Sequence, residues 1–384
     1  MASSAKNASK DKQLRNTAVK VRIHPDAAQA ELLDKTFGCC RFLWNQMLAD
    51  EQEFYAATGE HFIPTPAKYK KDFPFLSEAD SSALATVHQN LRRAFQKFFD
   101  DPKQYGYPVF KKKKDAENSY TTYCQYFKSG PNIYITDTGI RLPKLGIISA
   151  KFHRKPLHWW KLKSATLSKT TTGKYFCSLL YEYEQKEVSP VIPTENTTLG
   201  INYSLSNLYT DSDGNTPDAP RWLTESTEKL AAMQRKLSRM ERGSKNYEAQ
   251  LRKIRLLHEH IANQRKDFLH KESRRIANAY DAVCVSDLDL REASRNLKLG
   301  NVMDNGFGEF RTQLAYKLER QGKALITVDK YAPTARTCSQ CGCETSELSP
   351  KARTWTCEHC GAKLDRSENG AINIKNFGLR QYLD

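Results

Sequence analysis

The chain has 384 residues, enough for about two to three domains of ordinary size. Its 60 Lys and Arg against 44 Asp and Glu give a formal net charge of +16, which predicts a polyanionic partner; a basic protein without one is the alternative. A mean hydropathy of −0.68, with no apolar run near the ~20 residues of a spanning helix, excludes a membrane protein, and the N-terminal stretch lacks the apolar segment of a secretory signal.

The first half of the chain changes between strand and helix patterns. Residues 1–16 are polar and predict a disordered tail, and residues 17–25 alternate Val19, Val21 and Ile23 with basic side chains, as in a half-exposed strand. Apolar residues at helical spacing predict a helical region over 26–101, whereas 102–185 is rich in Tyr, Phe and Lys in short strand-like segments. Residues 186–197 carry two prolines and no periodicity, which predicts a linker.

The second half predicts an α/β domain over 198–333, in which strands at 198–201, 282–288 and 324–329 alternate with helices. The helices are expected at 310–321 and in a hairpin at 223–280 that breaks at 243–244. The hairpin has 14 Lys and Arg against seven Asp and Glu. This excess indicates either a nucleic-acid surface or an ordinary solvated face.

Four of the ten cysteines form two CxxC pairs, Cys338/Cys341 and Cys357/Cys360. Each pair places two thiolates on one turn, and two such turns complete a tetrahedral zinc site. Because sulfur fills all four positions, the spacing predicts a structural ion in a zinc ribbon at 334–361; a redox dithiol would need only one CxxC. The nearby Cys343 and His359 are then not required as ligands. The other cysteines have apolar neighbours that predict core positions: Cys39, Cys40, Cys124, Cys177 and Cys284.

Several segments together resemble TnpB, the family of RNA-guided nucleases that small bacterial transposons encode and that are ancestral to type V CRISPR effectors. In chain order they are KVRIHPDAAQAELLDKTFGCCRFLWN, SYTT, LGINYSLSNLYTDSDG, GSKNYEAQLRKIRLLHEHIANQRKDFLHK, VSDLDL, TCSQCG…WTCEHCG and LDRSENGAINI. The resemblance implies an α+β multidomain protein whose N-terminal half holds a wedge-type β-barrel (17–25 and 102–185) and a helical recognition lobe (26–101). It implies a C-terminal RuvC (RNase H-like) α/β domain with the inserted hairpin, a zinc ribbon and a final RuvC segment at 362–384. A bacterial cytoplasmic, nucleoid-associated location is expected.

The departures from the family concern its three catalytic carboxylates. Family members carry Asp in a GxD pattern, Glu in Glu-Asp-Leu and Asp in Asp-Arg-Asp-x-Asn; this chain has Asn202, Ser286 and Ser367 there. RuvC-type hydrolysis holds two Mg²⁺ about 3.5–4 Å apart around the scissile phosphate. Since Mg²⁺ gives up its waters chiefly for anionic oxygen, one amide and two hydroxyls are not expected to bind the pair productively. We therefore expect no nuclease activity.

Two alternatives from other functional classes stay open. Displaced acids, for which Glu368, Asp289 and Glu292 are the candidates, would make the chain an active RNA-guided endonuclease. Asp287 is not a replacement, because it is one residue from Ser286 along a strand and points to the opposite face. The second alternative is an unguided DNA-binding accessory of transposition.

Basic and polar side chains along the first half are the candidate nucleic-acid contacts. Some are expected to bind phosphates: Lys20, Arg22, Arg92, Arg93, Lys111, Lys112, Lys151, Arg154 and Lys155. Others fall where the family reads a short DNA motif beside its target: Ser82, Gln89, Thr121 and Thr122. A set of aromatic residues either stacks on unpaired bases or packs the core: Tyr105, Tyr107, Tyr120, Tyr123, Tyr126, Trp159 and Trp160.

The resemblance and the departures together predict a nuclease-dead TnpB-like repressor. Its expected partners are a structured, transposon-end-like guide RNA and double-stranded target DNA, in a monomeric ribonucleoprotein with no membrane partner. Base pairing would select the target, and the bound complex would block RNA polymerase at a promoter.

Overall fold

The structure is a computed structural model that describes residues 12–113, 118–186, 188–204, 207–217, 222–287, 306–345, 348–349 and 352–384. The chain divides into two compact units, Met1–Glu187 and Val188–Asp384. The division falls inside the predicted linker. The linker residues that follow the division are packed, however. The Val191 N–H donates to the Gly322 carbonyl at 2.8 Å, so the start of 188–197 belongs to the second unit.

The first unit is built from nine strands and three α-helices within its described residues. Its strands are β1 (Lys12–His24), β2 (Asn118–Tyr123), β3 (Tyr126–Phe127), β4 (Gly130–Pro131), β5 (Tyr134–Ile135), β6 (Gly139–Leu142), β7 (Gly146–Lys151), β8 (Lys161–Lys169) and β9 (Tyr175–Lys186). Its helices are α1 (Ala27–Thr58), α2 (Pro66–Asp72) and α3 (Ser81–Asp100), with a 3₁₀ turn at Pro74–Ser77.

Local signals account for where these helices begin and end. Asp26 and Gln29 form a capping box at the start of α1, and Gly59 ends that helix in the left-handed conformation at φ 73°. The Asp80 carboxylate caps α3 by accepting from the Ser82 N–H.

Seven strands form one antiparallel sheet in the order β2-β8-β9-β1-β7-β6-β5. Strand β1 pairs with β9 from Lys12 to Ile23, so the predicted tail was wrong at its end: the strand starts five residues before residue 17. Residues 12–16, which are polar apart from Leu14, join the sheet because a long partner strand satisfies their backbone groups. No ladder joins the outer strands β2 and β5 among the described residues, so the hydrogen-bonded sheet is open, and the predicted barrel stays a prediction.

The helices and the sheet of the first unit share one hydrophobic core. Val19, Val21 and Ile23 of β1 belong to the same cluster of buried residues as Leu33 and Leu43 of α1. The boundary drawn between a barrel and a separate helical lobe therefore does not correspond to a division of the core.

The second unit contains a four-stranded sheet, a helical hairpin and a cysteine module. The strands are β10 (Thr198–Ser204), β11 (Leu208–Asp211), β12 (Ala282–Ser286) and β13 (Ala324–Val328), followed by the small hairpin β14 (Thr354–Thr356) and β15 (Lys363–Asp365). The helices are α4 (Trp222–Ser238), α5 (Lys245–Ala279), α6 (Phe307–Glu319) and α7 (Arg366–Leu383). The strand order is β11-β10-β12-β13, parallel except for β11.

Alternate residues of the central strands face different helices. Val283 and Val285 lie in a cluster with residues of α5 and α6, whereas Ala282 and Cys284 lie in a cluster with Ile374 of α7. A Cβ on Gly200 would overlap the Ala371 carbonyl oxygen, so glycine is needed for α7 to lie this close to β10. Both faces of the sheet are therefore covered, as parallel strands require.

The predicted hairpin is confirmed as α4 and α5, with a small apolar contact of Leu230, Ile254 and Ile261 between its arms. Within the described part of the chain, no helix is long and apolar enough to cross a bilayer.

Candidate functional site

The four predicted ligand cysteines meet in the second unit. The sulfurs of Cys338, Cys341, Cys357 and Cys360 all lie within 4.8 Å of one another. The Cys338–Cys360 and Cys341–Cys357 sulfur distances are 3.6 and 3.7 Å. Ligands at about 2.3 Å from a tetrahedral Zn²⁺ are separated by about 3.8 Å, so the donor set and its spacing fit this ion.

Each CxxC lies on a turn of the same construction. The Gly342 and Gly361 N–H groups donate back to the carbonyls of Cys338 and Cys357 at 2.8 and 2.9 Å, and both glycines have positive φ, 77° and 73°. Hydrogen bonds from the backbone at Cys360, together with those at His359, lower the pKa of the Cys357 thiol to about 6. Contacts with the other three sulfurs raise the pKa of the Cys341 thiol, so the four ligand cysteines do not all shift in one direction. The thiolate is the form that binds a metal.

Cys343 and His359 also lie near the cluster, because with Cys341 they form a second group of potential ligands within 4.8 Å. The four-sulfur set is nevertheless complete without them. The cysteines predicted to be core residues are buried, apart from the half-buried Cys124: Cys39, Cys40, Cys177 and Cys284.

Two buried asparagines of α7 hold the first cysteine turn, and the sequence reasoning missed them. The Asn369 side chain accepts from the Ser339 N–H and donates to the Thr337 carbonyl, at 2.9 and 2.8 Å. Asn373 donates to the carbonyls of Thr334 and Thr337 at 2.8 and 2.6 Å. Both are almost fully buried, so the asparagines of the LDRSENGAINI segment link the cysteine module to the helix that carries Ser367.

The three positions predicted to replace family carboxylates lie on the α7 side of the sheet. Asn202 and Ser286 directly follow Ile201 and Val285, the last registered pair of the adjacent parallel strands β10 and β12. The Asn202 amide Nδ2 donates to the Ser367 backbone carbonyl at 3.0 Å. Strand β10 is therefore joined directly to the first turn of α7, and the groups at this junction are neutral.

The nearby carboxylates already have partners or lie elsewhere. Asp287 is on the opposite face, where it pairs with Arg311 of α6 at 3.3 Å. Asp365 caps α7 by accepting from the N–H groups of Ser367 and Glu368. Glu368 is exposed, and its carboxylate lies near Gly214. Asp289 and Glu292, the other proposed substitutes, lie outside the described residues.

Another buried carboxylate in this unit is satisfied by its own loop. Asp211, at the end of β11, accepts from the N–H groups of Asp213 and Asn215 at 3.1 and 2.7 Å. Burial raises the pKa of the Asp211 carboxyl more than these two hydrogen bonds lower it.

Most of the predicted basic contacts in the first unit are exposed. Arg22 is registered with Lys151 across β1 and β7, so both lie on one face of the sheet. Lys20 lies 4.9 Å above the Phe176 ring, and Arg154 lies 5.3 Å above Trp160. The remaining exposed members are Arg92, Arg93, Lys112 and Lys155.

Lys111 is also exposed as a residue, but the surroundings of its ammonium group differ from those of the other members. Its ammonium is 3.9 Å from the centre of the Trp44 ring, and burial lowers its pKa. It is therefore partly engaged before any phosphate approaches.

The four polar residues predicted to read DNA have different surroundings. The prediction for Thr122 was wrong: the residue is buried, and its hydroxyl donates to the Asp80 cap. The Ser82 hydroxyl accepts from the Tyr123 N–H, and the Thr121 hydroxyl of β2 bonds to the Thr166 hydroxyl on the neighbouring strand β8. Gln89 is exposed, in a shallow depression with Arg92, Arg93 and Gln96.

The aromatic candidates divide by exposure. Tyr120 is buried in the core, and Tyr123 and Trp160 are half-buried. The others are exposed: Tyr105, Tyr107, Tyr126 and Trp159.

Three protein-family models match the chain. They are described as "Probable transposase" over residues 178–297, "Cas12f1-like, TNB domain" over 307–374 and "Helix-turn-helix domain" over 15–60. In this chain the last region is strand β1 followed by the single helix α1, not two helices joined by a turn.

Two curated relatives match almost end to end. A Streptomyces pristinaespiralis protein named "Putative RNA-guided DNA endonuclease" is 31% identical, over 94% of this chain and 89% of the relative. The Escherichia coli K12 protein of the same name, InsQ, is 30% identical over 94% and 92%. Among solved structures, a Cas12f1–sgRNA–target DNA complex covers 96% of this chain and 99% of its own, with a TM-score of 0.57 at 12% identity, which shows a shared fold.

Proposed function

Because this chain belongs to the TnpB family, we propose that it is an RNA-guided DNA-binding protein that does not cut its target and represses transcription by occlusion. A guide RNA would select the DNA by base pairing, and the bound protein would exclude RNA polymerase from a promoter. The first unit, with its sheet and helices, would take the wedge and recognition roles.

The observation that carries the proposal is the neutral junction between β10 and α7. A two-metal site needs several anionic oxygens to bind and dehydrate a pair of Mg²⁺ ions. Asn202 supplies an amide whose NH₂ group is already bonded to the Ser367 carbonyl, and Ser286 and Ser367 supply hydroxyls. This donor set does not fit the pair of ions, so we expect no metal-dependent hydrolysis at this junction.

The remaining features support retained binding. The exposed Arg22 and Lys151 lie side by side on the first unit's sheet, where phosphates can be contacted without base specificity. The intact four-sulfur cluster supports a structural zinc ion, which would hold the cysteine module against α7 through Asn369 and Asn373.

The proposal is tested by purifying the chain from cells that contain its neighbouring DNA and sequencing the RNA that copurifies. A defined RNA species is expected; recovery of none would contradict guided binding and favour an unguided accessory. The loaded complex is then incubated with Mg²⁺ and a plasmid matched to the guide. We expect retention of the plasmid without a nick, and a guide-dependent cut would instead indicate a displaced acid such as Glu368.

Repression is measured with a reporter whose promoter contains the matched target. We expect lower expression with the matched guide and unchanged expression with a scrambled guide. A matched target placed upstream of the promoter is the control for position, because occlusion requires overlap with the polymerase site. Equal expression under all three conditions, which are the matched guide, the scrambled guide and the upstream target, would contradict the repressor proposal.

A further inference from the structure

A cavity of about 520 Å³ opens between the end of α1, the loop that follows it and α3. Three phenylalanines, Phe62, Phe95 and Phe99, line it. Phe95 is buried, whereas Phe62 and Phe99 are 54% and 47% exposed. Large aromatic side chains left open to solvent around a cavity of this size are typical of a surface that binds a ligand.

The His61 ring, which lines this cavity, is held in a fixed orientation by Glu51 and Tyr55. Glu51 is fully buried; its Oε1 bonds to His61 Nδ1 at 2.5 Å and its Oε2 accepts from the Tyr107 hydroxyl at 3.0 Å. The His61 ring also stacks on Tyr55 at 4.4 Å. Its other nitrogen, Nε2, has no hydrogen-bond partner among the described residues, and His61 lines the cavity.

A basic depression of about 290 Å³ adjoins the cavity along α3. Arg92 and Gln96 line both, and Gln89 and Arg93 complete the depression. All four side chains are exposed. In the described part of the first unit, Arg92 and Arg93 form no ion pair. Two guanidinium groups that form no ion pair therefore stand beside an aromatic cavity.

This combination selects a ligand of particular chemistry. The aromatic lining fits a flat ring, the fixed histidine edge fits a hydrogen-bonding group on that ring, and the guanidinium groups fit an attached anion. A fatty acyl chain would leave the histidine edge unused, and an apolar peptide side chain would leave the guanidinium groups unused.

We propose that this site, which we call the α3 pocket (Glu51, His61, Phe62, Phe95, Phe99 and Arg92), binds one unpaired nucleotide. The base enters the cavity and its phosphate lies at Arg92 and Arg93. The proposal rests on the proposed function, since it assigns to this pocket one nucleotide of the nucleic acid that the protein binds. The nucleotide comes from either the RNA or a displaced DNA strand, which share this chemistry.

Photocrosslinking tests the position directly. The full chain, freed of cellular nucleic acid in high salt, is mixed with single-stranded probes of about ten nucleotides, within the span of single-strand sites. One probe is RNA with 5-iodouridine and the other is DNA of the same sequence with 5-iododeoxyuridine. Crosslinks at Phe62 or Phe99 are expected with at least one probe, and the reactive probe identifies the source.

Two other results would overturn the proposal and are distinguishable. Crosslinks confined to other parts of the chain would refute nucleotide binding in the α3 pocket but would not contradict guided binding. No retention of either probe would contradict nucleic-acid binding itself, and with it the proposed function.

Affinity measurements separate the base from the phosphate. Phe62→Ala with Phe99→Ala should weaken binding of the reactive probe roughly 5- to 100-fold, without affecting an abasic probe of equal length. Arg92→Ala should weaken both probes and lower the salt slope by about 1. Phe75→Ala is the control, since Phe75 is 43% exposed in the same unit but does not line the cavity.

Circular dichroism confirms that each variant is folded, because Phe99 also stacks on the buried Phe95. Equal losses for the reactive and abasic probes in a folded Phe62/Phe99 variant would refute base binding. An equal loss in Phe75→Ala would refute the assignment to this pocket.

Discussion

Asn202→Asp is the substitution that best separates a metal site from a hydrogen-bonded junction. It introduces one carboxylate but removes the NH₂ group that donates to the Ser367 carbonyl at 3.0 Å. A hydrogen bond of this kind contributes about 1 kcal/mol net. The carboxylate oxygen would then face a carbonyl oxygen, which adds repulsion that partial exposure reduces, so we expect a total loss of about 2 kcal/mol.

The assay is thermal unfolding with and without Mg²⁺. In a unit of roughly 200 residues, 1 kcal/mol corresponds to about 2–4 °C in Tm. Asn202→Ala, which loses the hydrogen bond without adding charge, should lower the Tm by about that amount, and Asn202→Asp should lower it by about twice as much. Mg²⁺ should leave the Tm of both variants unchanged, because one carboxylate is not enough to bind two Mg²⁺ ions.

The triple variant Asn202→Asp, Ser286→Glu, Ser367→Asp completes the test. We expect Mg²⁺ to raise its Tm and to permit guide-dependent cleavage, since three anionic groups then stand on one side of the sheet. If Asn202→Asp is as stable as the parent, or more stable than Asn202→Ala, the reasoning about the junction is wrong. A folded, RNA-loaded triple variant that cuts nothing would show that more than the carboxylates is missing.

Three further predictions concern the second unit. Cys357→Ser should abolish zinc binding and lower the Tm, whereas Cys343→Ser should retain one zinc per chain by mass spectrometry; equal zinc contents would refute the ligand assignment. Asn369→Ala with Asn373→Ala should lower the Tm by several degrees while zinc is retained, because buried carbonyls lose their donors; loss of zinc as well would show that these side chains also build the ion site. Lys317 is buried, which lowers its pKa from 10.5 to about 8. Between these two pH values the unfolded chain binds the proton more strongly than the folded chain does. The free energy of unfolding should therefore rise from about pH 8 to pH 10.5, by at most about 1.4 kcal/mol per pH unit. Denaturant unfolding of Lys317→Met should show a flatter profile over this range, and an unchanged profile would contradict the assignment.

Part of the fold followed from patterns within short segments. The alternation at Val19, Val21 and Ile23 predicted a strand with one basic face, and the structure buries these three residues. Boundaries were less predictable: β1 begins at Lys12 because its polar start is paired with β9, a strand more than 150 residues away in the chain. Thr122 was misassigned for a similar reason, since its partner Asp80 lies on a different element.

The sequence by itself determined which chemical groups occupy each position. The CxxC spacing encodes the cysteine turns, because each turn depends on neighbouring residues. The side chains of Asn202, Ser286 and Ser367 are uncharged in any fold. Only the tertiary structure decided which groups meet: Asn202 and Ser367 are 165 residues apart, yet one hydrogen bond joins them. Turns and caps depend on interactions within a few residues, whereas such long-range contacts exist only once distant elements have packed on a shared core.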